Sequence, residues 1–159
     1  MKICKLLFCL ALGTMLFSGC RKETPATPLP DEAAYVGRLD VIEIGDALFR
    51  IDDLRASFVL DAQGRLDISM YDVSFSSKMP VKLSEMILPD VPYTRNGNTL
   101  TLSGTDIIPM MVMRGERVPY DRYKCTDLTG TIEPERMVLS MKLGGFQTDY
   151  TGSYTVVPI

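Results

Sequence analysis

Leu54-Arg55-Ala56-Ser57-Phe58-Val59-Leu60-Asp61-Ala62-Gln63-Gly64-Arg65-Leu66-Asp67-Ile68-Ser69-Met70 decides the fold. Leu54, Ala56, Phe58 and Leu60 share one face of an extended chain, with Arg55, Ser57 and Asp61 on the other. After the turn at Asp61-Ala62-Gln63-Gly64, Leu66, Ile68 and Met70 alternate with Arg65, Asp67 and Ser69. A period of two is the mark of a half-buried strand, and two such runs around a glycine turn predict an antiparallel hairpin. Val73 and Phe75 continue the rhythm after a break at Asp72.

The same pattern extends in both directions. Tyr93-Thr94 and Thr99-Leu100-Thr101-Leu102 flank Arg95-Asn96-Gly97-Asn98, where Asn-Gly tolerates the positive φ of a tight turn. Leu128 to Glu133 runs into a turn at Pro134-Glu135-Arg136. Met137, Leu139, Met141 and Leu143 then alternate, and Gly144-Gly145 turns the chain into a last strand over about Thr148 to Val157. The only helical candidate is Leu83 to Leu88, which Pro89 ends; it reads equally well as extended. Many short strands at this spacing predict an all-β antiparallel sandwich or barrel over 33–159.

Tyr35-Val36-Gly37-Arg38-Leu39 near the start mirrors Tyr150-Thr151-Gly152-Ser153-Tyr154 near the end. Pairing of these two strands predicts a closed barrel of about eight to ten strands, with a two-sheet sandwich as the alternative.

Residues 1–19 carry no such pattern. Lys2 and Lys5 precede an apolar run from Leu6 to Phe17, and Ser18 and Gly19 are small residues before Cys20. The run is shorter than the ~20 residues a membrane-spanning helix needs, so it reads as an export signal. Leu16-Phe17-Ser18-Gly19-Cys20 resembles the bacterial lipobox, departing from it at Phe17. The resemblance implies cleavage before Cys20 and lipid on its thiol. In Arg21 to Pro30, Pro25, Pro28 and Pro30 favour polyproline II and predict a spacer across 20–32.

Cleavage removes Lys2 and Lys5 and leaves 15 basic against 20 acidic side chains. That balance argues against a nucleic-acid partner. Cys4 and Cys9 leave with the signal and Cys20 takes lipid, so Cys125 stands alone. Tyr123-Lys124-Cys125-Thr126 reads as a strand, with Cys125 a small core residue. The chain has no histidine, which excludes Ser-His-Asp and Cys-His catalysis and histidine-based zinc sites.

Asp52-Asp53 and Asp40 with Glu43 are the carboxylates closest to an acid–base pair; solvated turn positions account for them more simply. Met110-Met111-Val112-Met113 offers thioethers that suit Cu(I), but core packing suits the run better. No catalytic residue, metal ligand or cofactor is assigned.

Tyr35 to Leu39, Ile87-Leu88-Pro89-Asp90-Val91-Pro92, Ile107-Ile108-Pro109, Leu128-Thr129-Gly130-Thr131-Ile132 and Tyr150-Thr151-Gly152 occur in an order that resembles the calycin-like β-barrel lipoproteins of Bacteroidetes. The resemblance covers nearly all of 33–159. It implies a lipocalin-like barrel in an outer-membrane lipoprotein, at the periplasmic face or the cell surface. The lipocalin Gly-X-Trp signature is absent, since the chain has no tryptophan.

Two functions follow as expectations. One is a binder of a small apolar or amphipathic molecule inside the barrel, against Leu66, Ile68, Met70, Leu139 and Met141. The other is an envelope interaction or protease-inhibitor module with a filled core, presenting Arg114-Gly115-Glu116-Arg117-Val118-Pro119-Tyr120 as an exposed loop.

Overall fold

The computed structural model describes residues 27–79, 81–113 and 115–156. The expected signal, Cys20 and the first part of the spacer lie outside these residues. Eleven strands follow in order: β1 Glu32–Ile42, β2 Leu48–Leu60, β3 Leu66–Val73, β4 Leu83–Leu88, β5 Tyr93–Asn96, β6 Thr99–Gly104, β7 Met110–Met113, β8 Glu116–Pro119, β9 Cys125–Ile132, β10 Arg136–Leu143 and β11 Phe146–Thr155. The only helical element among the described residues is a short 3-10 turn at Asp121–Tyr123. Leu83 to Leu88 is a strand, because its burial comes from pairing with Ile68 to Val73 on β3.

All pairings are antiparallel, in one sheet ordered β5-β6-β9-β10-β11-β1-β2-β3-β4-β7-β8. The sheet is curled around its own apolar face. Its pairing is open between β5 and β8, so the structure is an eleven-stranded curled sheet, not a ladder closed over eight to ten strands. Both edges are short. β5 exposes Thr94, Arg95 and Asn96, and β8 ends at Pro119, which has no N–H to offer.

The hairpin read from Leu54 to Met70 forms, and the structure supplies its register. Ala56 faces Met70, Phe58 faces Ile68 and Leu60 faces Leu66. These apolar cross-strand pairs hold the register, since a one-residue slip would turn the whole set to solvent.

The mirrored strands also pair. Gly37 lies opposite Gly152, Tyr35 opposite Tyr154 and Leu39 opposite Tyr150. They sit in the middle of the sheet and join its first-strand half to its last-strand half. A Cβ on Gly37 would run into the Thr151–Gly152 backbone, so only glycine allows this approach.

Among the described residues, six non-glycine residues have positive φ, and all are aspartates: Asp46, Asp53, Asp72, Asp90, Asp106 and Asp127. Aspartate tolerates this region because its short carboxylate can bond to nearby backbone. Two of them mark bulges. The β1–β2 register shifts between Gly37 and Leu39, opposite Asp53, and the β9–β10 register shifts between Ser140 and Lys142, opposite Asp127. A bulge adds local twist and bends its strand, which helps a sheet curl.

One contiguous core fills the concave face. It runs from Leu39 and Val41 through Phe58, Ile68, Met70 and Met86 to Leu102, Met141 and Tyr150. Leu29 joins it, only 4% exposed. Thr27 to Asp31, expected as the end of the spacer, are therefore held against the sheet. Leu29 O accepts from Arg95 Nη2 at 3.3 Å, Thr27 O accepts from Asn98 Nδ2 at 3.1 Å, and Asp31 O accepts from Leu60 N at 2.7 Å. From Thr27 onward the chain is strapped across one end of the sheet.

Candidate functional site

The interior is the first place to look for a ligand. Leu66, Ile68 and Met70 are completely buried, and Leu139 and Met141 are almost so. A void large enough for a ligand would leave its lining open to a water-sized sphere. These side chains have no such surface, so they pack against each other. Five core methionines, Met70, Met86, Met111, Met137 and Met141, fill irregular gaps between stiffer neighbours.

Tyr150 is the largest polar side chain inside with Tyr35, and Thr148 is completely buried as well. The Tyr150 hydroxyl lies near Tyr35 O at 3.1 Å and Leu54 O at 3.3 Å, within reach of both acceptors. The ring passes over Gly152, which leaves room for it by lacking a side chain. Burial pushes the Tyr150 phenol well above its ordinary pKa, so it stays a neutral donor. Tyr35 Oη donates to Glu133 O at 2.7 Å. No buried side-chain polar atom among the described residues lacks a partner. Nothing polar inside is left over for a ligand to satisfy.

The acidic candidates have structural partners. Asp40 accepts from Arg50 Nε at 2.7 Å and lies 3.1 Å from Arg38 Nε. The hydrogen bond from Arg50 leads in holding its carboxyl below the usual range. Glu43 accepts from Ser77 N at 2.8 Å and from Ser77 Oγ. Hydrogen bonds from Ser76 and Ser77 hold its carboxyl down. Asp53 forms the β2 bulge. The structure therefore ties Asp40 to Arg50 on β2 and Glu43 to Ser77 after β3, while Asp52 adds its charge to that of Asp40 around the Arg50 guanidinium.

Cys125 is completely buried at the start of β9, and burial pushes its thiol up to about 12. The expected strand around it begins only at Cys125; Tyr123 ends the 3-10 turn, where its ring packs tilted against Phe75 at 5.1 Å. Met111 faces the core, while Met113, on the same side of β7, lies past the core's rim and is 54% exposed. No group of histidine, cysteine or acidic side chains among the described residues is placed to hold a metal ion.

The exposed segment expected as a loop is a hairpin. Glu116–Pro119 forms β8 against β7, with Met111 opposite Val118 and Met113 opposite Glu116. All four β8 residues are exposed. Arg114 lies outside the described residues. The tight turn needs Gly115, whose φ is 84°. Sequence periodicity missed this pair because four-residue strands are too short to show a period.

The grooves on the surface are shallow and open to solvent. One of about 450 Å³ lies between Ile42–Asp46 and Gly144–Gln147. Another of about 270 Å³, at the opposite end, is lined by Thr27, Asn98, Thr99, Glu133, Pro134 and Glu135. No family model, curated protein or solved structure matches this chain.

Proposed function

We propose that this chain is a cell-envelope lipoprotein, cut before Cys20 and held to a membrane by lipid on that thiol, whose β domain acts through its outer surface. The signal-like stretch 1–19 and the lipobox-like Ser18-Gly19-Cys20 support the tether. The filled core is the observation that favours an interaction or protease-inhibitor module over a carrier. Leu66, Ile68, Met70 and their neighbours occupy the space a cargo would need.

The finer fold reading is a calycin-like barrel, at the outer membrane of a Bacteroidetes-type cell. Three contacts made by the connections on either side of β5 and β6 support it. Val91 N donates to Leu66 O at 2.7 Å, and Ser103 N to Pro92 O at 3.1 Å. Ile107 bridges to Cys125. Residues 83–96 then act as one bent strand that pairs with β3 at its start and β6 at its end. Counted this way the barrel has eight strands, with β7–β8 as an appended hairpin.

A second reading keeps the small apolar ligand. The five core methionines favour it, because thioether side chains repack more readily than branched ones. The two readings separate by titrating a fluorescent fatty acid into the purified domain. Stoichiometric binding with loss of core packing supports the carrier. No binding, together with a specific cross-linked partner or inhibition of a protease, supports the surface module. Mass spectrometry of the mature amino terminus tests the tether, and an unmodified Cys20 removes it.

A further inference from the structure

We propose that the domain end built from Thr27–Asp31, the β5–β6 turn, the β9–β10 turn and the close of β11 faces the bilayer, with the β1–β2 and β10–β11 turns pointing away. This rests on lipid at Cys20.

The strap carries the argument. Leu29 is buried, and the carbonyls of Thr27, Leu29 and Asp31 accept from Asn98, Arg95 and Leu60. The chain is thus fastened to one end of the sheet from Thr27 onward. Six residues separate Cys20 from Thr27. Even fully stretched, that leash spans at most about 25 Å. β1, with 11 residues, is roughly 36 Å long. With the strap in place, the far end cannot reach the membrane that holds Cys20.

The near end has surface chemistry suited to a lipid headgroup layer. Val156 is 84% exposed, and Tyr154 and Val59 are about half exposed. β1 places Tyr35 opposite Tyr154 and Glu32 opposite Val59, so all three lie beside the strap. A tyrosine presents an apolar ring and a polar tip, which fits the boundary between headgroup and acyl chain. Asp31, Glu32, Glu133 and Glu135 are exposed there too, against Arg95 and Arg136. That balance suits a zwitterionic surface better than an anionic one.

The test uses the full chain, exported and purified with its lipid, in phosphatidylcholine vesicles carrying a nitroxide quencher on the headgroup. A fluorophore is placed at Glu135→Cys on the near end or Ile44→Cys on the far end. Both positions are exposed, and buried Cys125 does not compete for the dye. Quenching at Glu135→Cys should exceed that at Ile44→Cys severalfold. A flexible Gly-Ser insert between Thr24 and Pro25 lengthens the leash before the described residues and should bring the ratio towards one. Equal quenching at the two sites, or more at Ile44→Cys, overturns the orientation while a lipidated Cys20 preserves the tether. An unmodified Cys20 overturns both.

Discussion

Replacing Gly152 by alanine should destabilise the domain far more than one methyl group suggests. The added Cβ would sit 2.7 Å from Tyr150 Cζ and 3.0 Å from Cε1, with the hydroxyl closer still. Tyr150 has no exposed surface and no free volume to move into. Relief requires the ring to tilt, which pulls its hydroxyl from Tyr35 O and Leu54 O. Losing that one donated proton, shared between two carbonyl acceptors, costs about 1 kcal/mol, and overpacking the core adds about 1–3 kcal/mol. The sum, about 2–4 kcal/mol, is a large part of the roughly 5–15 kcal/mol that holds a domain folded. Urea unfolding of the chain from Arg21 onward, followed by circular dichroism because there is no tryptophan, should show a midpoint lowered by about 2 M. Tyr150→Phe serves as the control. It removes the hydroxyl but keeps the ring, and should cost only about 1–2 kcal/mol. A Gly152→Ala variant within about 0.5 kcal/mol of the parent would refute the account of Tyr150 as a fixed strut across the glycine pair.

Three further outcomes are expected. Asp127→Val should cost about 1–2 kcal/mol or more in the same unfolding assay, because a branched residue resists positive φ, whereas Asp127→Gly should stay near the parent; equal effects would mean the bulge does not need that conformation. Leu29→Ala should cost about 2 kcal/mol and speed proteolysis between Thr27 and Asp31, and an unchanged cleavage rate would mean the strap is not held by its leucine. Cys125 should resist alkylation in the folded chain at neutral pH and react only on unfolding. Its folded pKa lies above the ordinary value of 9.0, so the unfolded state releases its proton first and this group's stabilisation fades as pH rises from 9.0 towards about 12. Native-state labelling as fast as that of the unfolded chain would contradict it.

The longer strands were legible because burial on one face writes itself into the chain as a period of two. Leu54 to Leu60 and Leu66 to Met70 show this, and their register follows from it. The match of Gly37 with Gly152 was legible for a related reason, since a close backbone approach leaves a glycine on both strands. The short strands β7 and β8 carry too few residues to show any period. The bulges at Asp53 and Asp127 were hidden because an aspartate in a strand looks the same whether it faces solvent or bends the backbone. Leu29 looked like one apolar residue in a proline-rich spacer, and only the position of Arg95, 66 residues away, makes it part of the fold.

By itself the sequence determined an antiparallel β domain, most of its long strands, the pairing of first with last, and the expectation of a lipid at Cys20. Local alternation and local turn chemistry suffice for the strands. The first–last pairing came from its mirrored glycine motif. Only the tertiary structure decided how the sheet curls, that its pairing stops between β5 and β8, that its interior is solid, and which end receives the linker. Those properties depend on how side chains distant in sequence share volume. The direction proposed for a tether at Cys20 rests on contacts that no local pattern records, namely Leu29 under Arg95 and Thr27 beside Asn98.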